Sequence, residues 1–120
     1  MTNKSLNTSN KDSSKEEEAL SLLNQGKYKE AEIIYKELIS SGTKNHLVYG
    51  NLAALCGMRG DRDEMIKLLD IALQIQPNYP EAHNNLGNVF QSQGDFTSAI
   101  ASYQKAIQLN PKFPAAQNNL

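Results

Sequence analysis

The chain reads as an all-α solenoid, about three antiparallel helical hairpins laid side by side. Three observations predict this. Apolar residues recur at three- and four-residue intervals from Ser13 onward, Gly, Asn or Pro breaks the pattern about every 15 residues, and no segment alternates with period two over strand length. A shift of 34 residues then lays the chain on itself: Leu52 falls on Leu86 and Leu120, Gly26 on Gly60 and Gly94, Ala31 on Met65 and Ala99, Tyr35 on Leu69 and Tyr103, and Pro77 on Pro111.

Residues 1–12 are Asn, Ser, Thr, Lys and Asp around an isolated Leu6, too polar to offset chain entropy by burial, and are expected to form a disordered tail. Ser13 and Glu16 have capping-box spacing, which predicts a first helix over 13–25 ending at Gly26. A second helix follows over 28–41. Its partners under the 34-residue shift are 46–59 and 62–75, then 80–93 and 96–109, with a seventh helix beginning at Pro114. Gly60-Asp61 and Gly94-Asp95 each pair a glycine suited to closing one helix with an aspartate suited to capping the next, whereas Gly26-Lys27 keeps only the glycine. Pro77 and Pro111 stop a helix by pushing the preceding residue out of the helical region, and Pro80 and Pro114 suit a first turn. The units are thus 13–45, 46–79 and 80–113, with 114–120 the start of a further unit or a truncated cap.

Composition excludes several functions. Lys and Arg number 12 against 13 Asp and Glu, for a net charge of −1, so no long-range field draws a phosphate backbone or anionic lipid. The apolar runs are far shorter than the roughly 18–20 residues a spanning helix needs, and the start of the chain lacks a signal peptide's apolar core, which points to a soluble cytoplasmic protein. Two His and one Cys leave little material for metal or nucleophile chemistry. His46 and His83 lack metal-ligand spacing, Cys56 sits at a core station, the Glu16-Glu17-Glu18 run suits a helix N-terminus, and no phosphate-cradling glycine loop or Ser/His/Asp set occurs. No catalytic site, metal or cofactor is expected, and the remaining class is a binding protein.

The repeated stations resemble the tetratricopeptide repeat. In the third unit His83, Leu86-Gly87, Phe90, Ala99, Tyr103, Ala106 and Pro111 occupy the expected places. The second unit has Tyr49, Leu52-Ala53, Leu69, Ala72 and Pro77, with Cys56 and Met65 at stations usually aromatic and Ala. The first is degenerate: Ala19, Leu22, Ala31 and Tyr35 remain, while Lys15 and Thr43 replace the leading aromatic and the proline. The resemblance implies a right-handed superhelix in which small residues at Ala53, Gly87, Ala72 and Ala106 let backbones approach and Tyr35, Phe90 and Tyr103 fill the space, with His83 taking an aromatic's seat in the stack.

Stacking leaves one stripe of each first helix to line an inner curve. In the third unit it carries Glu81, Asn84, Asn85, Asn88 and Ser92, in the second Leu47, Gly50, Asn51, Ala54 and Met58, and in the first Ser13, Glu16, Glu17, Leu20 and Asn24. Asn51, Asn85 and Asn119 recur at 34-residue intervals, so a row of amides can pair with successive peptide groups of an extended chain; Glu17 interrupts the row. Asn51-Leu52-Ala53 and Asn85-Leu86-Gly87 resemble the asparagine ladder in the repeats of the O-linked N-acetylglucosamine transferases. The same amides could instead be solvated or tie adjacent helices. Family members that clamp a terminal carboxylate use Lys, Arg and Asn on this stripe, but here Glu16, Leu20, Gly50, Ala54 and Asn84 occupy those stations, so no such clamp is expected.

The expected function is a scaffold that binds a protein or peptide partner along this stripe through Asn51, Asn84, Asn85, Asn88, Asn119, Glu81 and Met58. The alternative is the substrate-recruiting front of a larger enzyme, such as a protein glycosyltransferase, with its catalytic part elsewhere. Because Leu73, Ala106 and Ile107 form an edge without a polar cap, the chain is also expected either to be the front of a longer array or to pair that edge with another copy.

Overall fold

A computed structural model describes residues 2–112, with side chains over 11–112. Its helices are α1 (Thr2–Asn24), α2 (Tyr28–Ser40), α3 (His46–Met58), α4 (Arg62–Ile75), α5 (Pro80–Ser92) and α6 (Phe96–Leu109), and there is no strand among the described residues. The expected fold class is the one observed. The expected seventh helix from Pro114, and Asn119 with it, lie outside the described residues.

The punctuation works as chemistry requires. Gly26, Gly42, Gly60 and Gly94 take φ between +79° and +85°, the left-handed conformation that closes a helix without Cβ strain. Asp61 and Asp95 accept hydrogen bonds from Glu64 N and Ser98 N, 3.3 and 3.2 Å, while Lys27 makes no side-chain cap. Gln76 and Asn110, each before a proline, leave the helical region, and their side chains accept from Asn78 N and Lys112 N at 3.2 Å. Where Thr43 stands in place of a proline, other bonds hold the turn: Thr43 N donates to Leu38 O (3.1 Å), and the buried Tyr49 hydroxyl donates to Thr43 O (3.0 Å).

The first helix departs from expectation. It begins at Thr2 rather than Ser13, so Ser13 and Glu16 lie in its interior and no capping box starts it. A helix nucleated by packed turns around Ala19 propagates cheaply, and no Gly or Pro lies between Thr2 and Asn24 to stop it.

Hairpin partners α1·α2, α3·α4 and α5·α6 pack on each other, α2 packs on α3, α4 on α5, and α3 also meets α5. The assembly is elongated, 50 × 27 × 23 Å, with a radius of gyration of 15.3 Å against about 13.6 Å for a compact chain of this length. Tyr35, Leu38, Leu52, Ala53, Leu69 and Ala72 are buried in a core shared by all three hairpins, as the stacking rule requires. The inner residues of α6, Ala99, Tyr103 and Ala106, form a smaller cluster reached through Phe90. Two packing expectations need correction. At Gly87 what comes close is not a backbone but a ring: the space of the missing Cβ is met by Tyr103 of its own hairpin. His83 is not in the stack either. It is only half-buried, with Nε2 3.1 Å from Pro77 O, because Tyr79, buried and set in the loop before α5, has taken the space between units.

Candidate functional site

The stripe left over by stacking forms a trough of three joined hollows along α1, α3 and α5. The first, about 240 Å³, is lined by Ser13, Glu16, Glu17, Leu20, Tyr35, Asn45, Leu47, Val48 and Asn51. The second, about 420 Å³, shares Leu47 and Asn51 with it and adds Gly50, Ala54, Tyr79, Glu81, Asn84 and Asn85. The third, about 400 Å³, shares Ala54 and Asn85 with the second and adds Gly57, Met58, Arg62, Met65, Asn88, Val89 and Ser92. Helical spacing is the cause, since residues three and four apart stand above one another on one face.

The amides are not equivalent. Asn51 is half-buried, and its Nδ2 donates to the Tyr35 hydroxyl of the preceding hairpin at 3.1 Å. Asn85 occupies the same station one repeat on, but Leu69 stands where Tyr35 would be, so no hydroxyl is offered to it. It is half-buried between the second and third hollows. Asn84 is buried and already engaged. The single Tyr103 hydroxyl proton is shared between two acceptors, Oδ1 of exposed Asn88 at 2.6 Å and Oε1 of Gln91 at 2.9 Å. Glu81 and Met58 are exposed on the wall, and Met58 also borders a separate hollow of about 430 Å³ with Gly26, Tyr28, Lys29, Glu32, Leu55 and Arg59. Helix-tying, one of the roles open to these amides, is therefore realised at Asn51 and at Asn88.

Sequence reasoning missed Tyr79. Its ring lies over Gly50, where an added Cβ would sit 2.7 Å from Cζ and 2.8 Å from Cε2, and it meets His46 edge to face with centroids 4.8 Å apart. The available signal was Gly50 itself, a glycine inside a helix, which costs stability unless something must come close. One repeat earlier the same contact is polar: Asn45, at the Tyr79 station, donates from Nδ2 to Glu16 at 2.7 Å.

Burial pushes the Tyr79 phenol up to about 12, with the negative charge of Glu81 adding to the effect. Tyr35 is likewise raised, by burial first, opposed by the Asn51 bond and reinforced by Glu16. Because the folded value for Tyr79 lies above the ordinary 10.0, its contribution to stability is complete below that pH and is lost as pH climbs through about 12. Melting temperature is accordingly expected to fall faster between these limits in the wild type than in Tyr79→Phe; identical alkaline profiles would remove this assignment.

Elsewhere, burial raises the Cys56 thiol, and Arg59, whose guanidinium donates to Sγ at 3.4 Å, opposes that shift. Arg59 also pairs with Glu32, which holds that carboxyl below its usual range and ties α2 to the end of α3. Among the described residues no helix is long and apolar enough to cross a membrane.

Two family models match: a tetratricopeptide repeat over residues 80–113 and a TPR repeat over residues 59–94. Residues 59–113 of this chain therefore carry the tetratricopeptide repeat (TPR). No curated protein matches it. Among solved structures, MamA is 25% identical with a TM-score of 0.76 over 84% of this chain, which spans 59% of the length of that MamA chain. The first TPR of Spaghetti (RPAP3), bound to the HSP90 peptide SRMEEVD, is 21% identical with a TM-score of 0.83, covering 92% of this chain and 88% of its own. The Sgt2 TPR domain from Aspergillus fumigatus is 20% identical with a TM-score of 0.79, covering 92% and 74%.

Proposed function

We propose that this TPR array is an interaction scaffold that holds an extended peptide segment along the trough between α1 and α5. The observation that carries the reading is the continuity of the three hollows through shared residues, Leu47 and Asn51, then Ala54 and Asn85. A TPR neighbour that is bound to a peptide supports it. Amides suit such a task because each offers a donor and an acceptor to a peptide group whatever side chains the peptide carries.

Magnitudes say which amide to test. A net hydrogen bond is worth about 1 kcal/mol, so two amides supply about 2 of the roughly 8 kcal/mol that micromolar affinity needs. Exposed Leu20, Leu47 and Met58 on the walls are the apolar contacts available for the remainder. Asn85→Ala is expected to weaken a peptide selected from a displayed library about fivefold while leaving the melt unchanged. Asn51→Ala, which also breaks the Tyr35 link, should lower both. Undiminished affinity in Asn85→Ala, measured by calorimetry, would take the ladder out of the account.

A further inference from the structure

We propose, resting on the peptide-groove reading above, that the occupant of the trough is a basic segment whose lysine or arginine side chains lie against Glu16, Glu17 and Glu81. These three carboxylates line the first two hollows, and no Lys or Arg lines either. None of them enters a described ion pair, since those join Lys15 to Glu37, and Lys36 and Arg59 to Glu32. Glu16 is fixed by the Asn45 amide, a neutral donor that orients the carboxylate without cancelling its charge.

The charge is placed to act across the trough. Glu16 and Glu17 stand on α1 and Glu81 on α5, and Leu47 and Asn51 of α3 line both hollows. Two phenols that line these hollows respond to the charge: burial raises Tyr35 and Tyr79 first, and Glu16 and Glu81, respectively, add to it. Arg62, the one cation among the lining residues, lies in the third hollow. The first two hollows are therefore negative on both sides, over α1 and at the start of α5, and a segment that brings basic side chains to these two places fits them. An acidic tail such as the Spaghetti neighbour's SRMEEVD would put its carboxylates against like charge.

An extended peptide of about ten residues reaches roughly 33–36 Å, within the 50 Å length of the array. The test uses three end-capped peptides of that length, with lysine, glutamine or glutamate at alternate positions, titrated by fluorescence anisotropy at low and high salt. The lysine peptide is expected to bind at least about tenfold more tightly than the glutamate peptide at low salt, with the gap closing as salt rises. Glu17→Gln and Glu81→Gln, both exposed and outside the core, should each weaken the lysine peptide about two- to fivefold and flatten its salt dependence, with circular dichroism confirming the fold. Equal binding of all three peptides, or preference for the glutamate peptide, overturns the charge inference and leaves the groove reading standing. Failure of all three overturns the groove reading itself, and this inference with it.

Discussion

Tyr35→Ala is expected to destabilise the protein by about 3–5 kcal/mol, the range for removing a buried aromatic, and to lower Tm by roughly 10–20 °C. Tyr35 is 2% exposed and sits in the core that joins all three hairpins, so its loss opens a cavity that helices held on both sides cannot readily collapse into. The hydroxyl adds a second role, because it anchors Asn51 from the neighbouring hairpin. Tyr35→Phe separates the two: it keeps the packing and loses one hydrogen bond, about 0.5–1.5 kcal/mol. Chemical denaturation of both variants checks the ordering, and a Tyr35→Ala loss under about 1 kcal/mol would show that the hairpins do not depend on this residue for their stacking.

The second large effect concerns the glycines inside helices. Gly50→Leu and Gly87→Leu each place a side chain where an aromatic ring already is. The added Cβ at Gly50 would lie 2.7 Å from Tyr79 Cζ, and that at Gly87 2.6 Å from Tyr103 Cδ1. Both rings are buried, so neither moves aside freely. Overpacking of this kind costs about 1–3 kcal/mol, partly offset by the gain of up to ~1 kcal/mol in helix propensity when glycine is replaced. The consequences for binding differ. Tyr79 lines the trough, so a leucine beneath it is expected to displace the ring into the second hollow and abolish peptide binding. Tyr103 lines none of the three hollows, so Gly87→Leu should lose stability to a similar extent yet retain peptide affinity below its own melting range. Equal peptide affinity in the two variants would separate Tyr79 from the binding face.

These predictions differ in how far they could be read from the amino-acid sequence. Tyr35 and Tyr103 were legible as large residues at one station of a 34-residue repeat, and both are buried. Gly87 was legible as a packing glycine, but its partner was not: the repeat shows that room is left, not which ring fills it. His83 and Tyr79 show the limit plainly. Both lie near the start of the third unit, and family pattern favours His83, yet the loop carries Tyr79 inward over Gly50 and leaves His83 half-exposed on Pro77 O. The trough was legible as three stripes, whose residues line the joined hollows except for Asn24.

What the sequence by itself determined is the set of helices, their turns and the face each one buries. Those depend on neighbours three and four residues apart and on single glycines, prolines and capping aspartates, all of which act locally. The early start of α1 escaped because helix propagation, once a packed turn exists, tolerates residues too polar to nucleate one. Only the tertiary structure decided which amides are tied and which are open. Asn51 and Asn85 hold the same station in the first helices of successive units, and they differ because the preceding hairpin presents a hydroxyl to one and has Leu69 at that station for the other. A hydrogen bond between side chains sixteen positions apart requires two helices to pack at a particular distance and angle, and no periodicity within either helix contains that information.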